Sequence, residues 1–196
     1  MKRAVLAIVL LASVSCGDMV RQGTGSSYLI ITELEAASGA EPDDFGGDFG
    51  SDVITIDNDT GQATVFSDAA RVTFALGMKD AGPAGSPTSP TSNNFITVDR
   101  YRVRYVRADG HNIPGVDVPY AFDGAFTVTV SDTASGGFTI VRSQAKAEAP
   151  LAALQYDFRV LSVIAEITFY GRDQTGREVS VTGNIGIHFA NHGDPE

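Results

Sequence analysis

Leu161-Ser-Val-Ile-Ala-Glu-Ile-Thr-Phe-Tyr170, then Gly171-Arg-Asp-Gln-Thr-Gly176, then Arg177-Glu-Val-Ser-Val-Thr-Gly-Asn-Ile-Gly-Ile-His-Phe189, decides the fold class. In the first run Leu161, Val163, Ala165, Ile167 and Phe169 alternate with Ser162, Glu166, Thr168 and Tyr170. In the last, Val179, Val181, Ile185, Ile187 and Phe189 alternate with Glu178, Ser180, Thr182, Asn184 and His188. A period of two places one set on each side of a strand, so each strand has one apolar and one wet face. Asp173-Gln-Thr-Gly176 supplies the turn chemistry that folds the second strand back on the first. Phe158 and Val160 sit on the opposite phase to Leu161, which predicts a bulge or bend near Val160-Leu161.

Working outward, the same alternation predicts strands over Tyr28–Ala36, Val53–Asp57, Gln62–Ser67, Arg71–Lys79, Phe95–Arg107, Ala125–Ser131 and Phe138–Arg142, with a hairpin turn at Asn58-Asp-Thr-Gly61. One short helix is expected over Arg142–Glu148, stopped by Pro150. So many short strands predict an all-β protein, an antiparallel β-sandwich of immunoglobulin-like kind. Ala81–Asn94, with Pro83, Pro87 and Pro90, reads as a long loop inside one domain. The fifty residues before it would make a marginal core alone.

The N-terminus has a different logic. Met1-Lys2-Arg3 is basic, Ala4–Ala12 is apolar, and small residues lead into Ser15-Cys16, which is the order of a secretory signal; the apolar run is too short to span a bilayer. Cys16 is the only cysteine, and exported proteins usually pair theirs. Ser13-Val-Ser-Cys16 resembles the lipobox of bacterial lipoproteins, with Ser13 where that family prefers Leu. The resemblance covers the first eighteen residues only. It implies removal of residues 1–15, acylation of Cys16 by chains such as palmitate, and membrane attachment in the cell envelope. Several chains anchor stably, at about 0.8 kcal/mol per buried methylene. In the enterobacterial sorting pattern Asp after the lipidated Cys retains a lipoprotein in the inner membrane; Gly17 stands there, which implies the outer membrane. Residues 16–27 then read as the lipidated Cys and a flexible small-residue tether of roughly 35 to 40 Å full reach. Residues 28–190 form the domain, and 191–196 a polar tail.

Loss of the signal removes Lys2 and Arg3 and no acid, so 24 acidic side chains face twelve basic ones and the formal charge moves from −10 to −12. Such a surface repels nucleic acid, which excludes that class of partner.

Four groups of residues invite a chemical reading. Glu41, Asp43, Asp44, Asp48 and Asp52 crowd a Gly-rich stretch, with Asp57 and Asp59 in the next turn. They suit a calcium site, whose ion needs six to eight oxygen ligands, or simply a solvated acidic loop. Asp57-Asn-Asp-Thr-Gly61 starts like an EF-hand loop but has Gln62 at the sixth position and Asp68 at the twelfth. Arg100, Arg102 and Arg104 share one strand face, placed either to grip an anion or to pair with carboxylates across strands. Of the histidines, His111 lies in a turn, His188 on a wet strand face and His192 in the tail. No nucleophile elbow or zinc-protease motif is present, so a hydrolase would need a site assembled from distant residues such as His111 and His188. The chain contains no Trp, and Tyr120 and Tyr170 alone remain as aromatic platforms for a glycan. The expected function is therefore a lipid-anchored, non-catalytic binding, display or scaffolding module with no cofactor, whose partner is a protein or a surface polymer. Alternatives are a calcium-dependent ligand- or glycan-binding module and an envelope hydrolase.

Overall fold

The computed structural model describes residues 23–193; Cys16, the signal and most of the tether fall outside the described residues, as does the end of the tail. Ten strands form: β1 (Ser27–Ala37), β2 (Asp48–Asp52), β3 (Thr55–Ile56), β4 (Ala63–Thr64), β5 (Asp68–Met78), β6 (Ile96–Val106), β7 (Phe122–Val130), β8 (Thr133–Val141), β9 (Leu161–Asp173) and β10 (Glu178–Ala190). They make a three-stranded sheet in the order β1-β5-β8, a five-stranded sheet in the order β2-β10-β9-β6-β7, and the small hairpin β3-β4. The five-stranded sheet curls like half a barrel. Among the described residues no helix is long and apolar enough to cross a membrane.

The period-two reading holds where it was strongest. Val163, Ala165, Ile167 and Phe169 of β9 and Ile185, Ile187 and Phe189 of β10 are buried, and the two strands pair from Leu161↔Phe189 to Arg172↔Glu178. Both sheets bury their apolar faces in one core. Phe74 of β5 meets Phe169 of β9 edge to face at 5.0 Å, and Phe138 of β8 meets Phe169 at 5.2 Å and Tyr101 of β6 at 4.9 Å. Edge-to-face contact sets the positive rim of one ring against the negative face of the next, a gain of about 0.5–1.5 kcal/mol per pair beyond burial. Tyr101 fits because Gly124 lies opposite it on β7; a Cβ there would come within 2.2 Å of the ring.

Four expectations need correction. The body is not wholly antiparallel: β2 runs parallel to β10, pairing Asp48 with Gly186 through Asp52 with Ala190. This strand lies in Asp48–Asp52, read as acidic loop, while the strand expected over Val53–Asp57 shrinks to Thr55–Ile56. Asp-Phe-Gly-Ser-Asp lacks an apolar alternation, and it pairs because the already formed β10 offers it a ladder. Neither the bulge nor the bend expected near Val160-Leu161 forms. β9 begins at Leu161, and Phe158 and Val160 precede it in an exposed, irregular stretch. Register shifts fall instead at Ile31/Glu33, Asp68/Ala69 and Val98/Arg100. Finally, the single helix becomes α1 (Ser143–Lys146) plus two 3₁₀ turns at Ser92–Asn94 and Leu151–Tyr156. Pro150 breaks the helical run, since it lacks the N–H a continuing helix would donate.

Strand register gives the body two poles. Ser27, Met78, Ile96, Val130 and Asp173 meet at the end where β1 enters. Ala37, Asp52, Val106, Val141 and Leu161 lie at the other, far pole. At about 3.3 Å per residue, the 13 residues of β9 separate them by roughly 40 Å.

Candidate functional site

The far pole carries the most distinctive chemistry. Lys146 of α1 and Asp68 at the start of β5 are both fully buried and form an ion pair at 2.6 Å. Lys146 Nζ also donates to the Asp52 carbonyl at 2.7 Å, and Asp68 accepts from Ser51 Oγ at 2.6 Å and the Gly39 N–H at 2.8 Å. The ammonium has two acceptors and both carboxylate oxygens have donors, which a buried charge pair requires. The cluster ties α1, β2, β5 and the turn after β1 together. Burial pushes the Asp68 carboxyl above its ordinary range, against the pull of Lys146 and its other donors. Nearby, Tyr105 donates to the Ile140 carbonyl at 2.7 Å, and burial drives its phenol far above the usual value.

Beside this clasp opens a groove of about 570 Å³. Its walls come from the segment after β6 (Arg107, Val116), from Pro150 and Leu154 of the 3₁₀ region, and from Arg159 and Val160 before β9. That is the size and the mixed apolar and polar lining of a small-molecule or side-chain site. Around it Ile113, Val116, Tyr120, Tyr156, Phe158 and Val160 are all exposed, which clusters at one pole most of the large apolar side chains that the described residues leave on the surface. The arginines are held in place: Arg107 pairs with Asp109, and Arg159 with Asp157 at 2.6 Å.

The residues singled out from sequence are dispersed. Glu41, Asp43 and Asp44 sit in the turn after β1, where the Glu41 N–H donates to the Ser38 carbonyl and the Asp44 N–H to that of Glu41. Asp57 shapes its own hairpin, accepting from the Thr60 N–H at 2.7 Å and the Asp59 N–H at 3.0 Å; the Thr60 hydrogen bonds hold it below the ordinary carboxylate range. Asp52 accepts from Thr55 Oγ1 and the His192 N–H. Among the described residues no three His, Cys, Asp or Glu side chains converge enough to hold a metal ion. Arg102 lies 2.7 Å from Asp123 and Arg104 donates to Glu166, while Arg100 covers the Tyr170 ring at 3.9 Å and reaches Asp123 at 3.8 Å. Tyr101, Val103 and Tyr105 are buried on the other face of that strand.

His111 is exposed at 3.5 Å from Asp109, and His188 has different company. Its Nδ1 lies 2.7 Å from Ser162 Oγ, directly across the β9-β10 pair, and its Nε2 lies 3.1 Å from Asp48 on β2. Gly186 makes this line possible, because a Cβ there would fall 2.5 Å from Asp48 Oδ1. The order Ser-His-Asp is that of a hydrolytic relay. It lies on an open sheet face, and among the described residues the neighbouring backbone N–H groups are committed to the ladder and so are not free to face a developing oxyanion.

Sequence reading missed Asp68, Lys146, Ser162 and the groove. No local pattern marks the first three, which meet partners 17 to 94 positions away. The groove had a signal in the exposed apolar stretches Ile113–Val116 and Tyr156–Val160. The chain matches no protein-family model and shows no significant similarity to any curated protein.

Proposed function

We propose that this is a lipid-anchored cell-envelope protein whose body, a β-sandwich of immunoglobulin-like kind, acts as a non-catalytic binding or display module. The observation that carries the reading is polarity. The chain enters at the Ser27 end, while the groove and its apolar surround lie at the opposite pole. A domain held at one end by acylated Cys16 presents the other end outward, to a protein or a surface polymer. Replacing Cys16 with Ser is expected to abolish labelling by palmitate and release the protein from the membrane fraction. A photo-cross-linker at Val116 is expected to give a discrete adduct that one at Lys79, at the entry pole, does not. Equal adducts at both poles would sink the display reading.

A second reading, a hydrolase, is favoured by the Ser162-His188-Asp48 line. It requires that Ser162→Ala abolish turnover of small activated esters by the purified protein. Turnover that is absent, or unchanged in that variant, removes it.

A further inference from the structure

We propose that Tyr156-Asp-Phe-Arg-Val160 is a self-recognition strand through which two copies of this chain pair about a two-fold axis at Phe158. Tyr156 closes the 3₁₀ turn, and the chain is extended from Asp157, at φ −135° and ψ 138°, so that pairing needs only the last residue of the turn to open. No ladder includes residues 157–160. The Asp157 N–H donates to the Leu154 carbonyl at 3.3 Å and the Arg159 N–H to Asp157 Oδ1 at 3.1 Å, while the backbones of Phe158 and Val160 make no hydrogen bond among the described residues. Its residues nevertheless alternate in kind, apolar and charged, as a strand with two different faces does. Tyr156, Phe158 and Val160 are 88%, 103% and 57% exposed, and between them Asp157 and Arg159 bind each other at 2.6 Å. An extended segment in which alternate residues keep free backbone groups, beside a row of exposed apolar side chains, is a template for strand addition, because a neighbouring strand bonds only every second residue.

What selects a second copy over another partner is the order of the residues. The segment reads apolar, acid, apolar, base, apolar. Antiparallel pairing centred on Phe158 sets Phe158 against Phe158 of the second copy, Tyr156 against its Val160, and Asp157 against its Arg159. Two intramolecular ion pairs become two intermolecular ones with no charge left over. This is the self-complementarity an isologous two-fold interface requires, and opposite charges directly across a strand pair are favourable where like charges are not. Val160 also lines the groove, which places Tyr156 of the second copy at the groove mouth. Aromatic side chains offer roughly 150–250 Å² each. Tyr156, Phe158 and Val160 together therefore fall short of the roughly 800 Å² per partner of a standard interface, which points to a weak, reversible dimer. The inference does not rest on the anchoring by Cys16.

The test is sedimentation equilibrium of the full-length chain in density-matched detergent at physiological salt, with circular dichroism to confirm folding. The wild type is expected to self-associate with a dissociation constant on the order of 10–100 µM. D157R and R159D each place like charges opposite each other in the homodimer and are expected to weaken it by about tenfold or more. An equimolar mixture of the two variants restores opposite charges across the pair and is expected to recover association, as is the double variant D157R/R159D. A wild type that stays monomeric to about 500 µM, association indifferent to both single reversals, or failure of the mixture to recover it would each overturn the proposal.

Discussion

Removing the amine of Lys146 tests whether the buried clasp organises the far pole. In Lys146→Met the apolar stem is retained, but Asp68 loses its counter-charge and the Asp52 carbonyl loses its donor. Ser51 and Gly39 still donate to Asp68, so the carboxylate is short of one partner and not stripped of all. Breaking one side of a buried pair costs about 3–5 kcal/mol. With roughly 2–4 °C per kcal/mol in a chain of this size, the melting temperature should fall by about 6–20 °C. The deficit should depend on pH. Burial already raises Asp68 above its unfolded value, and losing Lys146 removes a charge that opposed this rise. Below the unfolded pKa the acid is neutral in both states and burial costs little; as pH rises from there through the raised folded pKa, the folded state must hold a proton the unfolded chain has released or bury a lone charge, and stability falls. Calorimetric melts at pH 5 and pH 8 should therefore show the larger deficit at pH 8. A loss below about 1 kcal/mol, or a deficit equal at both pH values, would refute this account of the clasp. A double change to Met at 146 and Leu at 68 separates charge from packing, and is expected to recover much of the loss because an apolar pair needs no compensation.

Asp173, at the turn between β9 and β10, behaves oppositely: burial pulls its carboxyl up, but hydrogen bonds from Thr175 and Arg177 outweigh that and leave it below the usual range. Its stabilising effect is full above the unfolded value and lost as pH falls through the folded one, so Asp173→Asn should flatten the acid limb of a melting-temperature profile below about pH 4. Gly124→Ala should destabilise by about 1–3 kcal/mol in chemical denaturation, since the new methyl meets the Tyr101 ring, whereas Gly47→Ala, with open space around it, should be close to neutral. On β9, Phe169→Ala should cost about 3–5 kcal/mol, while Glu166→Ala, which frees only the exposed Arg104, should cost less than about 1 kcal/mol in the same assay.

The contrast between these last two residues shows what was legible. Phe169 and Glu166 lie in a run whose alternation is local, so three or four neighbours suffice to assign each to a face. Burial, strand identity and the turn at Asp173 followed from that alone. β2 was not legible, because its residues have no strand pattern and its ladder exists only once β10, about 140 positions on, is in place. The same holds for the clasp, where Lys146 in the short helix meets Asp68 and Asp52 through folds of the chain that periodicity does not encode. The Tyr156–Val160 stretch is the instructive case: its phase conflict with Leu161 was visible, and it marks a separate, unpaired segment in place of a bulge in one continuous strand. A pattern of period two states that side chains alternate; it does not state that anything is paired beside them.

The parallel seam between β2 and β10 has a consequence for how the molecule is made. In the five-stranded sheet the first strand along the chain has only the last one as its neighbour, so that layer stays incomplete until the C-terminal hairpin has been synthesised and docked. Joining segments so far apart closes a very long loop, a step that belongs late in assembly. A polypeptide built this way lacks its finished architecture until the strand at the far end of the domain is free to pair.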